Sequence, residues 1–251
     1  MWFKKRSLLV LAILLILIYL CMRVTEFDLY KFKDFRNMTD FLKLWFPMDT
    51  TELPNMIQNT IETLAMAFLG SILGLIIALP ISFWAARNTA PSPFFYHTVR
   101  VLLSFVRSIP EIVFGLILLT ALGLGPFPAV LAIMFHNIGV LGKLISELIE
   151  AADKGPQEAM KAVGAKNWIG HLFSLLPQIW PNVLSQFFYR FEVAIRTSLI
   201  LGLIGGGGIG QRLFNDFKTF QYSAVSLDVL IIMIMVIIVD FLGSYIRNKV
   251  I

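Results

Sequence analysis

Residues 57–86 read IQNTIETLAMAFLGSILGLIIALPISFWAA, an apolar run in which Glu62 is the one charged residue. An α-helix needs roughly 20 apolar residues to cross the hydrocarbon core of a bilayer, and this run is longer. Backbone polar groups find no water in lipid, so only helices and closed barrels span it. Barrel strands are short and alternate apolar with polar residues, which this run does not. The stretch therefore predicts a membrane-spanning helix.

Further apolar runs lie on both sides of this one, and most charged residues fall between them. They are Ser7–Met22, Val99–Leu122, Ala129–Ile149, Val183–Gly205 and Leu227–Ile246. The chain is 57% hydrophobic and 15% charged, whereas soluble domains are about half apolar and about a quarter charged. We expect an all-α integral membrane protein with about six transmembrane helices.

The first apolar run has two possible roles. Lys4, Lys5 and Arg6 precede it, as they would in a cleaved signal peptide, but no small-x-small cleavage site follows Met22. We therefore predict an uncleaved anchor helix. Residues 1–56 then form an N-terminal anchor helix and an outside loop, and residues 57–251 form the transmembrane domain. Aromatic side chains in the loop suit an interfacial segment; they are Phe27, Tyr30, Phe32 and Phe35.

Charge and rare residues narrow the possible functions. More Lys and Arg fall on one side of the predicted spans, which places the N-terminus inside, in the cytoplasm. The net charge of +5 then reflects topology, and no nucleic-acid partner is indicated. A single cysteine, Cys21, excludes a disulfide within the chain. Three histidines lie far apart in sequence, so a metal site made by this chain alone is not expected.

The inside loop 147–181 is longer than the other inside connection and is organised. Residues 158–164 read EAMKAVG, and Leu176-Pro177 follow twelve residues after the glycine. Glycine just past a helix is a common stop signal, because it adopts the left-handed conformation at no steric cost. The pattern predicts a short helix from Pro156 to Val163, ended by Gly164, and a second helix that runs to Pro177.

This loop resembles the cytoplasmic signature loop of bacterial ABC importer membrane subunits. The family has a second alanine where this chain has Met160, and isoleucine where it has Ser174. In that family the short helix docks in a cleft of the ATPase subunit. The resemblance implies a type I ABC importer permease fold and ATPase-coupling roles for five residues of the loop. These are Glu158, Ala159, Gly164, Leu176 and Pro177.

The glycine-rich run Gly205–Gly208 ends the fifth apolar stretch. A phosphate-binding loop needs Lys-Ser/Thr after its glycines, whereas Gln211-Arg212 stand here. The chain is therefore not expected to be an enzyme or to bind a cofactor, and ATP and Mg belong to a partner subunit. Gly205, Gly206, Gly207 and Gly208 are expected to stop the helix and to form an outside gate or portal.

Charged residues inside the apolar runs are expensive in lipid and often functional. Six polar residues of the third and fifth runs are candidates for a path that conducts an anion, or for neutralised structural pairs. They are Arg107, Ser108, Glu111, Arg190, Glu192 and Arg196. Four-residue spacing predicts that Glu192 pairs with Arg196. Guanidinium matches the geometry of phosphate-like oxyanions, and the arginines outnumber the glutamates.

These stretches also narrow the resemblance. The segments RSIPE (107–111), YRFEVAIR (189–196) and LGLIGGGGIG (201–210) are similar to phosphonate importer permeases. That family implies a multi-pass protein of the bacterial cytoplasmic membrane that works as a homodimer. Its partners are two ATPase subunits and a periplasmic or lipid-anchored solute-binding protein. Its cargo is phosphonate or a related anion such as phosphite.

Three other functions compete with this interpretation. A permease for methionine or another small organic solute would share the loop but not the arginines. An ion-coupled secondary transporter would need internal repeats with broken helices in both halves, and none is visible in the sequence. A membrane scaffold or enzyme would need no ATPase partner. Co-purification with an ATPase separates the first of these from the other two.

Overall fold

The computed structural model describes residues 5–28, 30, 33 and 35–250, so Lys4 and Phe32 of the predicted features lie outside it. Within those residues the chain is helical and contains no β-strand. The helices are α1 (Lys5–Val24), α2 (Phe35–Lys43), α3 (Leu53–Ala85), α4 (Pro93–Ser108), α5 (Glu111–Leu122), α6 (Pro126–Ala151), α7 (Gly155–Ala162), α8 (Asn167–Gly170), α9 (Leu176–Leu203), α10 (Gly208–Lys218) and α11 (Tyr222–Val250).

The chain divides into two compact units, Met1–Phe46 and Pro47–Ile251. The first contains α1, whose apolar side chains are exposed along its length, and the amphipathic helix α2. The second contains α3 to α11. Residues 47–56, assigned from sequence to the N-terminal part, belong to this second unit. Met48 and Met56 pack there against Ala224 and Leu227.

Five helical segments of the described chain are long and apolar enough to cross a membrane, or six when one bent pair counts as a single span. This bent pair shows that the prediction of a single third helix was wrong. Val99–Leu122 is not one rod but α4 and α5, which meet at an angle of 83°. The break lies at Ile109 and Pro110. Proline has no N–H to donate and disfavours helical geometry in the residue before it, and Ile109 is extended, with φ −81° and ψ 121°.

The second helix of the inside loop also differs from its prediction, because it does not end at Pro177. The α8 turn passes through a π-type turn, His171–Leu175, directly into α9. Pro177 occupies the first turn of α9, where its missing N–H costs little. The fifth membrane helix therefore continues, with one irregular turn, from the loop itself.

The core of the second unit lies between α3, α6 and α9. Gly70 and Gly74 of α3 form the contact with α6. A Cβ on Gly70 would lie 2.6 Å from the Ile133 side chain, and one on Gly74 would lie 2.7 Å from the Asn137 Cβ. The small-xxx-small pattern thus allows two membrane helices to approach closely, as its spacing predicts.

Gly70→Ala should therefore destabilise the protein, although alanine normally favours a helix over glycine by about 1 kcal/mol. Overpacking against Ile133 costs about 1–3 kcal/mol. Gly243→Ala in α11 is the matched control, because its Cβ would meet only the ends of long side chains at ordinary contact distances, Arg247 Nη1 at 3.4 Å and Glu192 Oε2 at 3.7 Å. Thermal unfolding of the purified protein in detergent compares the two. Equal or higher stability of Gly70→Ala would contradict the close α3–α6 contact.

Candidate functional site

The short helix α7 is built by local signals at both ends. Asp153 accepts a hydrogen bond from the Gly155 N–H at 3.1 Å, and Pro156 occupies the first turn. At the other end Gly164 has φ +77°. Its N–H donates to the Lys161 carbonyl and the Ala165 N–H donates to the Met160 carbonyl, each at 3.0 Å. These two bonds are the Schellman arrangement that ends helices at glycine. The predicted stop at Gly164 is therefore confirmed, although the last helical residue is Ala162 and not Val163.

The outer surface of this loop is apolar as well as charged. Glu158, Ala159 and Pro177 are exposed, and Leu176 is half-buried. Large apolar side chains beside them are also exposed, which the motif did not indicate: Val163, Trp168 and Phe173. Exposed apolar groups next to a charged helix are typical of a protein-binding surface.

The loop is tied to the transmembrane helix that follows it. The Gln178 side chain accepts from the Asp153 N–H at 3.1 Å and donates to the Ser174 carbonyl at 2.7 Å. Ser174 in turn donates to the Gly170 carbonyl. Because α9 continues from the loop through the π-type turn, a displacement of α7 has a direct structural route to α9.

Glu111 and Arg190 form a buried ion pair between α5 and α9. Arg190 Nη2 lies 2.7 Å from Glu111 Oε1, and the two side chains are 9% and 13% exposed. The pair joins residues 79 positions apart. Arg107 lies four residues before Glu111, the spacing of a pair on a straight helix, but the α4–α5 bend lies between the two residues.

Polar side chains of three helices, α3, α6 and α9, form further contacts around this ion pair. Arg190 Nε donates to Asn137 Oδ1 at 2.8 Å, and Asn137 Nδ2 donates to the Ser71 hydroxyl at 3.3 Å. Thr197 donates to Glu111. His136 Nε2 lies 3.4 Å from Glu111, and its Nδ1 contacts the Ile109 carbonyl at 3.1 Å. The network thus connects the helix break to α3, α6 and α9.

Sequence reasoning missed Asn137 and His136, which lie side by side within an otherwise apolar run. An amide and an imidazole in such a run need buried partners, so their adjacency was the signal.

A second charged cluster joins α9 to α11. Glu192 lies 3.3 Å from Arg196, which confirms the predicted pair, and 3.1 Å from Arg247. Arg196 also lies 2.9 Å from Asp240. Two of these partners, Asp240 and Arg247, come from a helix that the sequence did not connect to the pair. The cluster balances two arginines with two carboxylates.

Arg107 and Ser108 differ from the other predicted path residues. Both are exposed at the end of α4, directly before the helix break. Within the described residues Arg107 has no ion-pair partner, whereas Arg190 and Arg196 each have one. Arg107 is therefore an exposed cation that no carboxylate of the described residues neutralises.

The glycine run forms the turn between α9 and α10. Gly205, Gly207 and Gly208 all have positive φ, which explains why glycine stands there. A Cβ on Gly207 would lie 2.6 Å from Glu62 Oε1. Sequence analysis indicated no role for Glu62. In the structure its carboxylate lies at the N-terminus of α10, where the helix dipole favours a negative charge. A cavity of about 440 Å³ opens between Glu62, this turn and Arg212.

Comparison with known proteins agrees with the loop and the fold. Residues 78–251 match the family described as binding-protein-dependent transport system inner membrane component. The phosphite transport system permease protein PtxC of Stutzerimonas stutzeri is 38% identical over 202 residues, covering 80% of this chain and 74% of that protein. The phosphate-import permease protein PhnE of Mycolicibacterium smegmatis is 33% identical over 190 residues, covering 76% of this chain and 36% of that protein.

Among solved structures, the inward-facing MetNI methionine ABC transporter aligns with a TM-score of 0.71 at 21% identity, covering 81% of this chain and all of the aligned chain. That likeness confirms the expected type I importer fold. The family match covers the predicted coupling loop, the helix break and the glycine turn together. The chain therefore belongs to the binding-protein-dependent transport system inner membrane components, the multi-pass permease subunits of bacterial ABC importers.

Proposed function

We propose that this permease carries phosphite, phosphonate or a closely related phosphorus oxyanion into the cell. The observation that carries the proposal is Arg107, an exposed guanidinium at a helix break inside a membrane protein, with no ion-pair partner among the residues that the structure describes. A charge at such a place is costly and is kept for a solute or a partner. Guanidinium binds phosphate-like oxygens in a bidentate manner. The 38% identity to a phosphite permease supports the same cargo.

The other predicted path residues have supporting roles in this proposal. Glu111 and Arg190 neutralise each other, as do Glu192 and Arg196 with their α11 partners. They shape the path, and Arg107 with Ser108 contacts the cargo. Gly205, Gly206, Gly207 and Gly208 form the outside portal beside the 440 Å³ cavity. A methionine permease remains the second candidate by fold alone, at 21% identity to the methionine transporter.

Importers of this type work with an ATPase and a solute-binding protein. We assign the ATPase contact to Glu158, Ala159 and Gly164, with Leu176 and Pro177 at the base of the loop. ATP and Mg act on that partner. A second copy of this chain would bring a second Arg107 to a shared path, so we propose a homodimer with two ATPase subunits. The predicted N-terminus-inside topology places the loop in the cytoplasm.

The cycle follows from this arrangement. A loaded binding protein docks outside, and ATP closes the two partner ATPases. Since α7 is followed by α8, which runs through the π-type turn into α9, closure moves α9 and its ion pairs. The path then opens outward, accepts the anion and reopens inward after hydrolysis. ATP drives the cycle because the two states differ in their affinity for the partners.

Uptake by the reconstituted complex tests the cargo. The permease, its ATPase and its binding protein are placed in proteoliposomes with ATP inside, and phosphite, methylphosphonate, phosphate and methionine are offered in turn. We expect ATP-dependent accumulation of a phosphorus oxyanion and none of methionine. Accumulation of methionine alone would replace the proposed cargo with the second candidate.

Arg107→Ala should lower oxyanion uptake by at least tenfold, because a charge-assisted hydrogen bond contributes about 1.5–3 kcal/mol. Assembly with the ATPase should be unchanged, since Arg107 lies far along the chain from the coupling loop. Arg36→Ala, which removes an exposed arginine of α2, is the matched control. Normal uptake by Arg107→Ala would remove the cargo contact from the proposal.

A further inference from the structure

Helix α4 carries a polar stripe that extends from its first turns to the break. Its members recur at steps of three and four residues, so they lie on one face. They are His97, Arg100, Ser104, Arg107 and Ser108. The stripe begins at the coupling-loop end of the bundle. The connection before α4 is held there, since the Arg87 N–H donates to Glu150 at 2.9 Å and Asn88 donates to the Ile149 carbonyl at 2.9 Å.

The stripe differs from the faces on either side of it. On one side Leu103 is buried against α6, and on the other Val101 and Phe105 are exposed and apolar. Among the described residues, neither the Ser104 hydroxyl nor the Arg107 guanidinium has a hydrogen-bond or ion-pair partner. Polar groups in a membrane helix face a partner or water rather than lipid. The stripe is therefore suited to a water-filled path beside an apolar face.

Lys143 of α6 lies across from this stripe, because two glycines bring the helices together. A Cβ on Gly139 would lie 2.8 Å from the Arg107 backbone nitrogen, and one on Gly142 would lie 2.9 Å from the Leu103 side chain. The resulting groove of about 600 Å³ is lined on its polar side by His97, Arg100, Ser104 and Lys143, and elsewhere by Tyr96, Val101 and Phe105.

Two cations of the groove, Arg100 and Lys143, form ion pairs with carboxylates, but these pairs do not neutralise all the positive charge of the stripe. Arg100 lies 2.7 Å from Glu150, and Lys143 lies 3.3 Å from Glu147. Arg107 adds an unpaired positive charge, so the stripe and its carboxylates keep a cationic excess. A lysine held by one carboxylate still has N–H donors for a second acceptor.

We propose that this groove is the inner part of the cargo path, a subsite for a small phosphorus oxyanion after it leaves Arg107. His97, Ser104 and Lys143 are its cargo-contacting residues, and the Glu147 and Glu150 pairs position the two cations. The proposal rests on the proposed function, since it assumes an oxyanion cargo. Donors spaced along a helix allow the anion to pass from one to the next, because no single site holds it too tightly to leave.

Transport by the complete complex in proteoliposomes tests the subsite with two pairs of variants. Lys143→Gln is compared with Lys249→Gln, an exposed lysine of α11. Ser104→Leu, which places a leucine in the stripe, is compared with Ser244→Leu, which changes an exposed serine of α11 outside the groove. We expect the first member of each pair to lower maximal uptake by about tenfold or more, the loss typical of a charge-assisted hydrogen bond, and the second to match the parent. Assembly with the ATPase, checked by co-purification, should be the same in all four.

The outcomes separate this inference from the proposed function. If the parent accumulates a phosphorus oxyanion and Lys143→Gln and Ser104→Leu transport normally, the subsite is wrong and the proposed cargo stands. If the parent carries no oxyanion, the proposed function fails first. Repeating the assay with and without phosphatidylglycerol identifies a lipid headgroup as occupant. A Lys143→Gln defect that occurs only in vesicles containing this anionic lipid would overturn the cargo subsite.

Discussion

Arg190→Ala is expected to destabilise the permease by about 3–5 kcal/mol, the cost of leaving a buried charge without its partner. Arg190 is 8% exposed and holds both Glu111 and Asn137. Its removal leaves the Glu111 carboxylate among His136, Thr197 and apolar neighbours. Thermal unfolding of the purified protein in detergent measures the loss.

A double variant distinguishes the cost of an unpaired buried charge from the cost of lost packing. Arg190→Met with Glu111→Leu removes both charges, and we expect it to be more stable than Arg190→Ala, because replacing a whole buried pair by apolar groups is often neutral. Arg196→Ala is the control, since that side chain is 49% exposed and such pairs contribute about 1 kcal/mol or less. If Arg190→Ala costs no more than Arg196→Ala, the network does not hold the helix break.

Gly164→Val should abolish coupled transport while leaving the membrane domain folded. Gly164 has φ +77°, a conformation that costs other L-residues about 1–2 kcal/mol and β-branched ones more. The strain would break the bonds that end α7 and displace the surface around Glu158. We expect the loss of binding-protein-stimulated ATP hydrolysis and of uptake, both measured in proteoliposomes.

Gly164→Asn distinguishes the two possible causes of that loss. Asparagine tolerates positive φ, and apart from its chain neighbours no atom of the described residues lies within 4 Å of a Cβ at this position. If backbone conformation alone matters, the asparagine variant should transport nearly as well as the parent. If both variants are inactive with α7 intact, a partner surface must approach Gly164 closely. Full activity of Gly164→Val would remove α7 from the coupling pathway.

Much of the fold was predictable because it depends on local properties. The length of each apolar run sets whether a helix can cross a bilayer. The α7 stop at Gly164 depends on one residue's backbone freedom. The Glu192–Arg196 pair follows from helical spacing. Each of these signals acts within a few turns of one helix, and each is present in the structure.

Other parts depended on which helices pack together. The third apolar run was expected to form one helix, but it bends by 83° at Pro110 between α4 and α5. Glu111 is four residues from Arg107, yet its partner is Arg190, which packing brings from 79 residues away. The same packing leaves Arg107 without an ion-pair partner among the described residues, and this observation carries the proposal that Arg107 contacts the cargo.

The sequence by itself determined that the chain crosses the membrane several times and that a short helix ends at Gly164, because hydrophobic length and helix termination are properties of contiguous residues. Only the tertiary structure decided which charges are neutralised by ion pairs and which have no such partner among the described residues. Ion pairing depends on distances of a few ångströms between helices that are remote in sequence, and these distances are set when α3, α5, α6 and α9 pack together.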